Sequence, residues 1–221
     1  MKKNKNIVYK IIQIIVKPLF KMIYRPKIIN CENIPLTGGA VIAGNHKHAL
    51  DPILIDVCTN RVVHTLAKKQ LHDGIFGFIL RAVGSIPVDL NSKENKQALV
   101  SAINVLENKG LVNVSPEAKR NYTNELLLPF KYGAVSMAQK TGVPIIPYGI
   151  SGDYKLFSKN LTVIFGEPIY VHDKDLYLVN KQLYTNIIEL LHKIMDSTEF
   201  QSKNIKSFDE WEKCNEVNKT T

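Results

Sequence analysis

Ala40-Val41-Ile42-Ala43-Gly44, followed at once by Asn45-His46-Lys47-His48-Ala49-Leu50-Asp51-Pro52, decides how this 221-residue chain is read. The first five residues are apolar and follow Ile34-Pro35-Leu36-Thr37-Gly38-Gly39, a turn by composition, so they predict a short buried strand. Asp51-Pro52 opens a helix, since aspartate can accept from the first free amides and proline is tolerated where no intrahelical N–H is needed. His46 therefore sits where a strand ends and a helix begins, a common place for sites in α/β folds.

The same alternation continues outward. Short apolar, β-branched runs at 62–67, 85–89, 111–114, 144–150 and 161–165 predict strands. Between and after them, 52–58, 74–83, 94–108, 130–140 and 175–195 predict helices. The clearest helical spacings are Leu99, Ala102, Ile103 and Leu106, and Leu183, Ile187, Leu190, Leu191 and Ile194. The fold class is α/β: a single domain with a largely parallel or mixed sheet flanked by helices, preceded by an N-terminal amphipathic membrane-surface helix. The expected division is a basic amphipathic segment at 1–28, a catalytic domain at 29–198 and a polar C-terminal tail at 199–221.

Charge is unevenly placed. Of 29 Lys and Arg, eight fall before the first acidic residue, Glu32, leaving 21 basic against 20 acidic residues beyond it. The net charge of +9 is thus a property of the N-terminus, and no nucleic-acid partner is expected. Between Ile7 and Tyr24 the polar residues Lys10, Gln13, Lys17 and Lys21 form one helical stripe in an otherwise apolar segment. Such a helix suits the surface of an anionic bilayer, or packs its broad face on its own domain, and both hold if it docks partly. Spanning would bury several lysines at roughly 2.5–3.5 kcal/mol each near the bilayer centre. Pro18 predicts a bend or a division of this helix. The lysines interrupt any signal-peptide core. Cys31, Cys58 and Cys214 are odd in number and widely spaced, indicating neither a disulfide framework nor a zinc site.

His46 and Asp51 are candidates for a general base and the carboxylate that orients it. On one regular helix, five residues would set their side chains about 140° apart, so the loop from Asn45 must fold back over the helix start. Two rival readings stand beside this one: Asp51 as a plain helix cap, and His46, His48 and Asp51 as metal ligands. No other His or Cys cluster supports the second, so no metal is expected.

Four stretches in order, NHKHALDP (45–52), GSIPVDL (84–90), SPEAKR (115–120) and VPIIP (143–147), resemble the glycerolipid acyltransferase family that includes lysophosphatidate acyltransferases. The likeness covers about residues 30–170. It implies that His46 and Asp51 are its His-x4-Asp pair (the HX4D motif), with general-base catalysis and no covalent acyl-enzyme. It also implies that Glu117 and Arg120 hold the phosphate of the acceptor, joined by Lys119 and by Lys68 and Lys131 in family-like contexts. Three positions depart from the family pattern: Leu90 where an arginine is usual, His48 for Ser or Thr, and Ala118 for glycine.

The expected reaction moves a fatty acyl group from acyl carrier protein or coenzyme A, as co-substrate and with no further cofactor, to the sn-2 hydroxyl of 1-acylglycerol 3-phosphate. The expected place is the cytoplasmic face of the cell membrane, peripheral or monotopic. An acceptor such as glycerol 3-phosphate or another lysolipid, and a non-catalytic lipid-binding homologue, remain the alternatives.

Overall fold

The computed structural model describes residues 2–75, 77–89 and 95–213. Seven strands, β1 (Lys27–Ile29), β2 (Ala40–Gly44), β3 (Val63–Lys68), β4 (Ile86–Val88), β5 (Leu111–Val114), β6 (Ile145–Ser151) and β7 (Thr162–Phe165), form one sheet in the order β1-β7-β6-β2-β5-β3-β4. Every neighbouring pair is parallel except β6 and β7. The sheet is therefore mixed, and β2 sits at its centre between β6 and β5.

Alternate strand residues feed two cores. Val41, Ala43, Val112, Val114 and Ile145 face one side with α5 (Lys96–Glu107), α6 (Gly133–Thr141) and α7 (Leu176–Ile194). Ala40, Ile42, Leu111, Ile146, Tyr148 and Phe165 face the other, with α1 (Lys2–Tyr24) and α2 (Asp51–Val57). Covered on both faces, the central strands read as apolar runs without alternation. Gly44 is required by packing: a Cβ there would lie 2.3 Å from both the ring and the carbonyl of Tyr148 on β6.

Most expected elements stand within a residue or two of their predicted bounds. The helix expected at 74–83 is the shorter α4 (Gly77–Ala82), and neither α3 (Lys69–Asp73), which precedes it, nor β1 has a counterpart in the sequence reading. The part of the expected 94–108 helix at residue 94 lies outside the described residues, as does Leu90.

α1 is one helix with Pro18 inside it, not two. Its polar stripe is not a uniform solvent face. Gln13 Nε2 reaches the Thr59 carbonyl at 3.1 Å, and Lys17 donates to the Thr59 carbonyl and, at 2.9 Å, to Asn60 Oδ1. A cation and an amide thus serve the carbonyl end of α2. Tyr9 Oη donates to Asp56 Oδ1 at 2.8 Å and accepts from Val63 N. Ile11, Ile14, Ile15, Leu19 and Met22 are left on the outside, with Lys10 and Lys21 exposed beside them. Among the described residues no helix is long and apolar enough to cross a membrane.

The stretch expected as a polar tail from residue 199 is docked on the domain as far as 213. α8 (Ser197–Gln201) is capped by Asp196, and Asn204 exchanges backbone hydrogen bonds with Asn124 and Leu126. Phe208 is buried, and the Trp211 indole donates to Tyr184 Oη at 3.1 Å.

Candidate active site

Three loops leave the carboxyl ends of the adjacent strands β6, β2 and β5, and their polar groups interlock. Asn45 continues β2 with its side chain: Nδ2 donates to the Ile150 carbonyl at 2.9 Å and Oδ1 accepts from Ile150 N at 2.8 Å. The chain then turns, and His46 Nδ1 lies 2.8 Å from Asp51 Oδ2. The same oxygen accepts from Lys47 N and His48 N, each at 2.8 Å, while Tyr154 Oη donates to Oδ1 at 2.6 Å.

This speaks against Asp51 as a plain helix cap. The carboxylate makes no cap bond to α2; it is turned back onto the loop that precedes the helix. An oxygen accepting from two amides also requires the proton on His46 Nδ1, which leaves Nε2 with its lone pair free to take another. Asp51 is 2% exposed and His46 about a quarter exposed, so the orienting group is dry and the ring faces out. Among the described residues no hydroxyl or thiol bonds His46, and no three His, Cys, Asp or Glu side chains gather to hold a metal. The His48 ring is engaged elsewhere, accepting from Leu50 N and stacking on Tyr154 at 4.4 Å.

Glu117 has a structural job that the sequence reading did not assign to it. It is buried; Oε1 accepts from His46 N at 2.9 Å and Oε2 from Leu128 N at 2.8 Å. Both oxygens are engaged, and a second anion beside them would be repelled. Glu117 braces the His46 backbone. Burial pushes its carboxyl up to about 7, with the charge of Asp51 adding to the rise and the two amides opposing it. Burial, then Asp51, likewise holds the Tyr154 hydroxyl well above the usual tyrosine value, so it stays a donor.

A cavity of about 180 Å³ opens beside His46. It is lined by Asn45, Lys47, Glu117 and Ile150 around the loop, by Asn121 and Glu125 from the chain after β5, and by Met195, Glu199 and Lys203 from the C-terminal segment. Lys119, Arg120, Lys68 and Lys131 are exposed, and none of the four lines it. Arg120 lies over the Tyr122 ring at 5.3 Å. Ala118 occupies a left-handed backbone at φ 58°, the conformation that the glycine of the family pattern adopts without strain. Sequence reasoning missed Tyr154, the bracing role of Glu117 and the lining by Lys203, all of which depend on partners at least seventy residues away.

An α/β domain that holds a histidine against a buried carboxylate at the end of its central strand has the architecture of a known class of enzyme. The chain belongs to the acyltransferase family, whose profile matches residues 25–151, and it is an enzyme of that class. It is 31% identical over 153 residues to the 1-acyl-sn-glycerol-3-phosphate acyltransferase of Bacillus subtilis, covering 66% of this chain and 75% of that one. It is 32% identical over 143 residues to the enzyme of the same name from Borreliella burgdorferi, covering 64% of this chain and 57% of that one. The crystal structure of the 1-acyl-sn-glycerophosphate (LPA) acyltransferase from Thermotoga maritima superposes with a TM-score of 0.66 at 24% identity, over 89% of this chain and 84% of that one, and shares the fold.

Proposed function

We propose that the chain transfers a fatty acyl group from an acyl carrier protein or coenzyme A thioester to the sn-2 hydroxyl of 1-acylglycerol 3-phosphate, forming phosphatidate. The observation that carries this is the His46–Asp51 pair, with its second ring nitrogen free at a cavity, in a chain related to enzymes of that name. His46 Nε2 takes the hydroxyl proton as the oxygen attacks the thioester carbonyl. Asp51 stabilises the imidazolium formed. The tetrahedral intermediate collapses, the C–S bond breaks, and the imidazolium returns its proton to the departing thiolate. No covalent enzyme intermediate and no cofactor is needed.

Lys119 and Arg120, with Lys68 and Lys131, supply cations for the acceptor phosphate, and Lys47 and Lys203 are the two cations that line the cavity itself. α1, with its exposed apolar residues between lysines, supports a peripheral or monotopic attachment to an anionic membrane surface, and the cytoplasmic face is the one proposed. An amphiphilic acceptor and product then need not enter water. A second reading, transfer to another lysolipid, is favoured by the absence of Lys68, Lys119, Arg120 and Lys131 from the cavity lining.

An acyl-transfer assay on purified protein tests these readings, with lysophosphatidate, glycerol 3-phosphate and phosphate-free lysolipids as acceptors and both thioesters as donors. Lysophosphatidate should be preferred, and His46→Ala should lower kcat by roughly 10³-fold or more. Equal rates with phosphate-free acceptors would sink the phosphate reading, and near-normal activity of His46→Ala would sink the general-base role.

A further inference from the structure

The loop between β6 and β7 carries Lys155-Leu156-Phe157-Ser158-Lys159. Leu156 is 66% exposed and Phe157 59%, which sets two adjacent large apolar residues outward. The loop is fastened to the end of α1: Phe157 N donates to the Ile23 carbonyl at 2.6 Å, and the Arg25 guanidinium lies 5.8 Å over the Phe157 ring. Ile23 adjoins Met22 and lies one turn from Leu19, both exposed. Leu156 and Phe157 therefore continue the outer apolar strip of α1 past its last turn. Lys155, Lys159, Lys21 and Arg25 border them, all exposed; Lys155 also lies 3.9 Å from Asp153. Apolar tips set in a basic border match an anionic bilayer surface.

Tyr154, the residue next to this loop, joins it to the chemistry. Its ring meets Phe20 and Tyr24 of α1 edge-on, at 6.3 and 5.7 Å, and stacks on His48, while its hydroxyl holds Asp51 Oδ1 at 2.6 Å. One short segment thus touches the outward strip on one side and the orienting carboxylate on the other.

We infer that residues 155–159 form a second bilayer-contacting element beside α1, and that Tyr154 is a positioning residue that ties this contact to Asp51. The inference rests on the acyl-transfer reading for its catalytic half and stands without it for its lipid half. Leu156 and Phe157 sink into the interface and fix the loop against α1. Tyr154, packed on Phe20 and Tyr24 of α1, keeps Asp51 aimed at His46.

Full-length protein separates the two halves. In flotation with phosphatidylglycerol-containing vesicles, Leu156→Ser with Phe157→Ser should weaken binding roughly tenfold or more, given two exposed apolar side chains removed from the strip. The same variant should match wild type on a monomeric short-chain lysophosphatidate and lose rate only when the acceptor is presented in vesicles. Unaltered vesicle binding would overturn the lipid contact. Tyr154→Phe keeps the ring contacts and removes one hydrogen bond to a carboxylate. It should bind vesicles as wild type does and keep its melting temperature within a few degrees. Its kcat should fall roughly tenfold on both forms of acceptor with KM unchanged. A wild-type kcat, or a change in KM alone, would overturn the positioning role. If wild type acylates no acceptor, the functional reading fails, while flotation still decides the lipid contact.

Discussion

Two loops leave the same sheet edge side by side, one after β2 and one after β5, and they are built in opposite ways. The first is over-determined: Asp51 engages four donors, Asn45 exchanges two bonds with Ile150, and Glu117 pins the His46 amide. In the second, the segment after Glu117 raises Lys119 and Arg120 into solvent on long stems. Proton transfer tolerates little misplacement, and the proposed mechanism fits a loop whose carboxylate is dry while the histidine beside it is short-stemmed and multiply held. Charge recognition works at longer range and tolerates movement, so exposed cations suffice for it.

The largest effect should come from breaking the rigid side. Asp51→Asn keeps the shape but not the charge. If the amide oxygen stays toward His46, Lys47 and His48, the imidazolium loses its counter-charge; if the amide flips, its N–H₂ faces three donors and favours the wrong tautomer. Either way kcat should fall roughly 10³- to 10⁴-fold with little change in KM. Steady-state kinetics at saturating donor would show this, and a loss confined to KM would show that Asp51 serves binding instead of orientation.

The loose side should respond differently. Removing Lys119 and Arg120 together as alanines should raise KM for lysophosphatidate roughly tenfold while kcat moves by no more than about threefold, since each exposed charge contributes modestly. The penalty should shrink as salt is raised. Lys203→Ala, from the cavity wall, should add a smaller rise in KM. A kcat collapse in the double variant would erase the distinction between the two loops.

The same contrast marks what was legible. The strand, loop and helix around His46 were readable because apolar run, turn and Asp-Pro signal are local. α1 was readable as a helix from its periodicity, yet periodicity does not say which stripe faces inward, and Gln13 and Lys17 turned toward Thr59 because α2 offers bare carbonyls there. β1 is three residues long and exists by pairing with β7, 135 positions away. Tyr154 and Lys203 reach the site from 103 residues and more along the chain, where no local pattern announces them. The cations Lys119, Arg120, Lys68 and Lys131 were named from family context, and the structure leaves them at the surface.

A smaller effect probes the brace itself. Burial raises the Glu117 carboxyl from an ordinary 4.5 to about 7, so between those values the folded state binds more protons than the unfolded state. Stability therefore falls as pH rises through that window and levels off above about 7, by up to roughly 1 kcal/mol per pH unit from this group. Asp56, raised from 3.8 to about 7 by burial against the opposing Tyr9 bond and Lys17, acts in the same direction. Glu117→Gln is neutral at every pH and removes only the first contribution, although its amide suits one backbone donor and opposes the other. Wild type should thus exceed the variant in stability most clearly near pH 5, and the gap should narrow toward pH 7.5. Denaturant melts of both proteins across that range measure the gap, and a gap that widens with pH would mean that Glu117 is held ionised by its two amides. In that case the His46 brace would be a charged one throughout, and the rigid loop would owe its order to a paired anion.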